Sequence, residues 1–201
     1  MALPQQKLSI TPTEYLRRER ESEFKHEYFA GEIFAMAGGT PKHSLIQTNV
    51  CGELRSALKG NPCRVYNSDL RVKIDRTGLY TYPDATVVCG ELRFDDERSD
   101  TVLNPTVLVE VLSPSTEAYD RGRKFNHYRQ IESLREYLLV WQDEPRIERF
   151  FKNAEGSWVL TEAAGMDGML PVSTLGIDIS LREVFDKVEF DPIEPPPKPP
   201  V

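Results

Sequence analysis

The sequence predicts an α/β (α+β) fold, with a mixed central β-sheet flanked by helices. Three observations predict it. A capped helix opens the chain at Thr11-Pro-Thr-Glu14. A meander of apolar, β-branched segments follows, punctuated by Gly, Pro and Asp turns. Then a helical stretch separates apolar strands, and strand–helix–strand order calls for parallel as well as antiparallel pairing.

Each element has its own signal. Thr11 caps the first helix, Pro12 suits its first turn and Glu14 completes a capping box, so the helix runs to about Glu21. Glu32–Met36, after Gly31, reads as a strand ended by Gly38-Gly39. Thr40 caps a second helix, with Pro41 at its first position. Ile46, Val50, Leu54, Ala57 and Leu58 then recur at helical spacing until Gly60 stops it. Arg64–Ile74 reads as one half-buried strand, with Leu70, Val72 and Ile74 on one face and Asp69, Arg71 and Lys73 on the other. Asp75–Gly78 is a turn. Leu79–Cys89 is the next strand, interrupted by Pro83; a proline there marks a bulge or a local end of pairing and turns Asp84 toward a cleft.

Gly90–Asn104 is a charged loop and Pro105–Leu112 the most buried strand by composition. Ser113–Thr116 turns into a helix over Glu117–Ile131. Tyr137–Trp141, Arg146–Phe151 and Trp158–Ala163 read as strands, and Leu181–Lys187 as a short last helix. Six of the last ten residues are proline, so 189–201 reads as an extended tail, a linker or a docking peptide for a protein partner, beyond a single domain over 1–188.

Composition bounds the function. The chain has 201 residues, 39% hydrophobic and 28% charged, the profile of a soluble globular protein. No apolar run approaches a membrane span, and Met1–Ile10 is too polar for a signal peptide, so a cytoplasmic protein is expected. Cys51, Cys63 and Cys89 are odd in number and form no C-x-x-C pair. Neither a structural zinc nor a disulfide framework is expected, and Cys51 and Cys89 read as small core residues. The net charge of −7, from 25 basic and 32 acidic side chains, argues against a generic nucleic-acid coat protein. It leaves room for an enzyme that meets DNA through a local basic patch.

Glu110 is the most informative residue. Val107, Leu108, Val109, Val111 and Leu112 surround it, and a carboxylate that deep needs a metal ion or a lysine as partner. Asp84, in Tyr82-Pro-Asp, can reach it through strand pairing. Magnesium takes one or two carboxylates and leaves the remaining positions to water and phosphate, and the Val111 carbonyl would complete the protein's share. The plainer alternative makes Asp84 a turn residue and Glu110 a buried salt-bridge partner. Asp120, Lys124 and Tyr128 share a helical face by i, i+4 spacing, with Phe125 on the adjoining stripe. A lysine beside a metal orients the attacking water and stabilises charge on phosphate; alternatively Asp120 and Lys124 form an ordinary surface pair. His43, in the first turn of the second helix, would contact a phosphate or serve as a core histidine. Asp69 is a cross-strand ion-pair candidate beside Arg71 and Lys73, and Glu32 and Gln47 are candidate polar supports. Ser113 and Ser115 read as turn groups. Arg17, Arg18, Arg20, Arg121, Arg123 and Arg129 are phosphate contacts or solvated helix faces.

These residues together carry a resemblance. Tyr82-Pro-Asp84, Val109-Glu110-Val111-Leu112-Ser113-Pro114-Ser115, Asp120-x-x-x-Lys124-x-x-x-Tyr128 and Glu136-Tyr137-x-Leu139-Val140 resemble the Uma-two family of restriction-endonuclease-like proteins, with Gly31-Glu32-Ile33 and His43 matching its N-terminal pattern. That family is similar to the PD-(D/E)xK nuclease superfamily. The resemblance runs from about Thr11 to Phe185 and implies a restriction-endonuclease-like core. It also implies an Mg2+ (or Mn2+) site at Asp84 and Glu110, a DNA substrate cut to leave a 5′-phosphate, and a position for Asp69 near the cleft. A homodimer would cut both strands. In the usual motif the lysine follows the second acid by two residues. Leu112 stands there, and the resemblance moves the lysine's role to Lys124. A degenerate nuclease fold that only binds nucleic acid or a protein is the competing expectation.

Overall fold

The computed structural model describes residues 9–190. It opens with α1 (Pro12–Glu19), whose first turn is capped by the Thr11 hydroxyl accepting from the Glu14 amide at 3.2 Å. The expected capping box is only half made, because the Glu14 carboxylate turns to Arg17 and Arg18 instead. A hairpin follows, β1 (His26–Phe29) and β2 (Glu32–Ala35). Its two-residue turn puts Ala30 at φ 50° and Gly31 at φ 84°, both left-handed, as the tightest right-twisted hairpins require. α2 (Pro41–Ala57) is capped by the Thr40 hydroxyl, which accepts from His43 N at 3.2 Å.

Two stretches that alternate like single strands are each broken in two. The stretch from Arg64 to Ile74 divides between β3 (Cys63–Asn67) and β4 (Arg71–Ile74), separated by Ser68–Leu70. Leu79–Cys89 contains β5 (Leu79–Thr81) and β6 (Ala85–Cys89), separated at Pro83. β3 and β6 enter one sheet, β4 and β5 another. Pro83 has no N–H to give a ladder, so its break is legible. Ser68–Leu70 keeps the alternation going and hides the other. The chain continues through β7 (Thr101–Val102), inside the charged loop, and β8 (Val107–Val111).

The helical stretch after β8 consists of α3 (Glu117–Tyr119), a π-helical turn (Asp120–Lys124) and α4 (Phe125–Tyr128). Then come β9 (Glu136–Val140), β10 (Arg146–Lys152), β11 (Trp158–Ala164), β12 (Met169–Val172), β13 (Ile177–Ser180) and α5 (Leu181–Val184). The five-stranded sheet runs β2-β1-β5-β4-β7, the six-stranded sheet β11-β10-β9-β8-β6-β3, and β12-β13 pair alone. β4–β7 and β8–β9 are parallel and the other pairs antiparallel, so both larger sheets are mixed. The α+β class and the mixed sheet stand, with strands divided between sheets rather than gathered in one.

Period two along β8 places the core. Val107, Val109 and Val111 join the cluster beneath α2 and α5, whereas Leu108 and Leu112 join the cluster with Tyr128 and Leu134. Glu110 shares the second face and so lies under the helical stretch. A third cluster, Tyr15, Leu16, Tyr28 and Tyr80, holds α1 against the five-stranded sheet.

The cysteine expectation is corrected. Cys63 and Cys89 stand opposite each other in the β3–β6 ladder and are disulfide-bonded, with Cα atoms 4.0 Å apart. A sequence separation of 26 residues conceals a pairing that only strand register creates. Cys51 is the free cysteine among the described residues. At the C-terminus Phe190 packs on Phe185, and the rest of the proline-rich tail lies outside the described residues.

Candidate active site

Asp84 begins where the β5–β6 break ends. β6 pairs with β8 in the register Ala85↔Val109, and one step further the same register sets Asp84 opposite Glu110. The Asp84 carboxylate is held from three directions. Its Oδ2 accepts the Val111 amide at 2.7 Å, its Oδ1 accepts Gln47 Nε2 at 3.1 Å, and His43 Nε2 lies 3.3 Å from Oδ2. His43 and Gln47 are one turn apart on α2, so a single helix face delivers both.

The opposite face of the six-stranded sheet delivers the cation. Lys124 Nζ lies 2.9 Å from Glu110 Oε1, which also accepts the Tyr128 hydroxyl at 2.6 Å. Two further carboxylates flank the ammonium, Asp120 Oδ1 and Glu27 Oε1, each at 3.4 Å. Glu27 comes from β1 of the other sheet and is fixed by the Thr81 hydroxyl and, at 3.4 Å, by Tyr119 OH. The π-helical turn spans the residues from Asp120 to Lys124. Such a turn is wider than an α-turn, which brings residues four apart closer to alignment, and π-bulges concentrate at functional sites.

Burial makes this cluster electrostatically tense. Glu110 is only 4% exposed, and burial pushes its carboxyl up to about 8; the Lys124 charge pulls it down while Asp120 and Asp84 push it further up. Burial also raises Asp120. For Lys124 burial alone would lower the pKa, but the charges of Glu110, Glu27 and Asp120 outweigh it and hold the ammonium well above its ordinary value. Asp84, accepting from His43, raises that imidazole. Three carboxylates thus converge around one ammonium and the Asp84 charge also acts on Glu110, leaving negative charge that a further cation would offset. Among the described residues no three His, Cys, Asp or Glu side chains cage an ion by themselves. The donor chemistry nonetheless fits a hard cation that takes two carboxylates and fills its other positions with water and substrate oxygens. The approach is from the side of Asp84 and His43, the more exposed members at 14% and 18%.

The structure brings Asp84, Glu110, Val111, Lys124, Asp120, Tyr128, His43 and Gln47 together. It does not bring Asp69. That side chain is 73% exposed on the β3–β4 turn, 2.6 Å from Lys25 Nζ, and binds Asn67 rather than facing Arg71 and Lys73. The turn that splits the predicted strand removes it from the cleft. Glu32 sits opposite Phe29 on β2, at the edge of the five-stranded sheet. Arg17 and Arg18 are taken up by Glu14, Arg20 by Asp96 and Asp100, and Arg121 by Glu117 and Glu148. Sequence reasoning missed Glu27, Thr81 and Tyr119. The available signal for Glu27 was an acid in an aromatic run just before Ala30-Gly31, a hairpin turn whose first strand went unrecognised.

Three comparisons place the chain among known proteins. The Uma2 family model, described as "Putative restriction endonuclease", matches residues 12–182. Two Synechocystis sp. proteins are similar along nearly their whole length. The uncharacterized protein slr1290 is 38% identical over 181 residues, 90% of this chain and 94% of that one. The uncharacterized protein sll1609 is 34% identical over 168 residues, 84% and 95% of the two chains. Among solved structures, a "putative nuclease belonging to DUF820" from Anabaena variabilis superposes with a TM-score of 0.70 at 21% identity, covering 88% of this chain and 97% of that one. At that identity it speaks for the fold, in agreement with a restriction-endonuclease-like core.

Proposed function

The chain belongs to the Uma2 family of restriction-endonuclease-like proteins, and from that premise we propose that it is a divalent-metal-dependent endonuclease hydrolysing DNA phosphodiester bonds. The observation that carries the reading is the Lys124 ammonium, 2.9 Å from a buried Glu110 that stands across the strand pair from Asp84. Asp84 and Glu110, with the Val111 carbonyl, would hold Mg2+ or Mn2+. When bound, such an ion supplies Lewis-acid polarisation of the phosphodiester and a more acidic water.

The chain's own groups do the rest. Lys124, kept cationic by its acidic neighbours, orients the attacking water and offsets charge growing on the phosphate. Tyr128 and Asp120 hold the Glu110–Lys124 pair in place. Gln47 and the Val111 amide fix the Asp84 carboxylate, so little reorganisation is needed at the moment of reaction. His43, near the mouth and raised toward protonation by Asp84, meets a phosphate oxygen from the N-terminal end of α2. Cleavage leaves a 5′-phosphate, and two subunits acting together cut both strands.

A second reading has one observation in its favour: three carboxylates already engage Lys124, as in a structural ion-pair network of a fold kept for binding. A plasmid-nicking assay in Mg2+ or Mn2+ separates the two. The endonuclease reading expects wild-type nicking that EDTA stops and Lys124→Ala lowers by about 10²-fold or more. Equal conversion by wild type and Lys124→Ala would refute it.

A further inference from the structure

α2 carries a ridge that leads away from the candidate active site. His43, Gln47, Cys51, Arg55 and Lys59 recur every four residues, the spacing of an i, i+4 ridge. The first two hold the Asp84 carboxylate, and Cys51 Sγ lies 4.0 Å from the Asp84 carbonyl oxygen. The last two reach a cleft of about 670 Å³ between α2 and β3, whose other wall includes Arg64 and Tyr66. With 1.5 Å of rise per residue, Arg55 lies about 12 Å along the helix from Gln47, and Lys59 follows two residues past the end of α2.

The charge in this cleft is free. Among the described residues neither Arg55 nor Lys59 has an ion-pair or hydrogen-bond partner for its side chain, and the one bond of Arg64 goes to the Gly90 carbonyl at 3.1 Å. All three side chains belong to exposed residues, and no carboxylate lines the cleft. Arg17, Arg18, Arg20 and Arg121, by contrast, are each taken up by acids. In a chain of net charge −7, an unneutralised trio lining one cleft is a local reversal of the field. β3 is an edge strand, so the cleft opens to solvent at the border of the sheet.

We infer that this cleft is a backbone-binding subsite for the nucleic-acid strand being cut, with Arg55, Lys59 and Arg64 contacting phosphates. It deepens the endonuclease reading and rests on it for the word "cut". At about 3.4 Å per phosphate along one strand, a separation of about 12 Å corresponds to a first contact roughly three to four nucleotides from the scissile bond. Tyr66 gives the cleft an aromatic wall for a sugar or an unpaired base.

The test is a salt titration of binding in EDTA, where no metal-dependent cleavage occurs. A fluorescein-labelled oligonucleotide, single-stranded and duplex in turn, is bound to the full chain and followed by anisotropy. The variant carries Arg55→Gln, Lys59→Gln and Arg64→Gln together; Arg55→Glu alone is a second variant that disturbs the surface less. The log–log salt slope of the triple variant should be shallower than wild type by about 2 to 3, and the single reversal should weaken binding at low salt. Unchanged slope and affinity in both variants would overturn the subsite, as would a wild-type chain that binds neither oligonucleotide. Nicking assays on the same preparations separate the two claims. Wild-type nicking with an unchanged slope removes the subsite alone. A shallower variant slope with no wild-type nicking removes the endonuclease reading and leaves the cleft as a nucleic-acid site.

Discussion

Glu110 and Lys124 are each other's condition for being buried. Removing Lys124 leaves the three acids around it without their cation in a nearly dry site, which costs about 3–5 kcal/mol. Lys124→Ala should therefore lower the unfolding free energy by several kcal/mol in urea denaturation, on the order of that range. Lys124→Met, which fills the space but restores no charge, should lose activity and stability about as Ala does, and recovery of most of the stability by Met would contradict the cause given. The same pair fixes a pH dependence. Glu110 is raised from an ordinary carboxylate value to about 8, so the folded state holds a proton that the unfolded state has lost. Its stabilising contribution is complete below about pH 4.5 and disappears as pH rises through about 8. Metal-free protein should thus melt lower at pH 8 than at pH 5, and Glu110→Gln should flatten that difference. Ordinary chemistry at the level of single residues made most of this site legible: an acid inside a valine run needs a partner, and Lys124, Asp120 and Tyr128 announce themselves by spacing. Glu27 was not read as part of the site, because its role depends on β1, a four-residue strand of the other sheet, being paired beside Lys124.

At the scale of elements, the site depends on breaks in regular structure. The Pro83 break ends β5 and starts β6 at Asp84, and the π-helical turn at Asp120–Lys124 sets the helical acids and lysine over Glu110. Deleting Gly122, which lies within that turn, should convert it to α-helix and rotate Asp120 about 100° relative to Lys124 and Tyr128. Nicking should fall by about 10²-fold while far-UV circular dichroism stays close to wild type; full activity of the deletion would show that the turn has no positioning role. The long helices and the buried β8 follow from periodicity and caps. β1, β7, β12 and β13 do not, because strands of two to four residues are shorter than a pattern needs, and tertiary pairing decides them. The split at Ser68–Leu70 escapes for a related reason. Alternation is preserved while the chain changes sheets, and with that change Asp69 leaves the cleft for Lys25.

For the whole molecule, net charge excludes a generic polyanion coat but says nothing of where positive charge remains unpaired. Arg17, Arg18 and Arg121, which stand out in the sequence, are neutralised by neighbouring acids, whereas the α2–β3 cleft gathers three cations with no acid beside them. No helix among the described residues is long and apolar enough to cross a membrane. The disulfide between β3 and β6 ties that cleft's outer wall to the strand that begins next to Asp84.

The most direct measurement is a manganese titration by electron paramagnetic resonance, on wild type, Asp84→Asn and Glu110→Gln. Wild type should bind the ion more tightly at pH 8 than at pH 5, since metal and proton compete for Glu110. Each variant should lose that binding together with DNA nicking. Wild-type affinity retained by both variants, with or without nicking, would contradict a cation held between these two carboxylates.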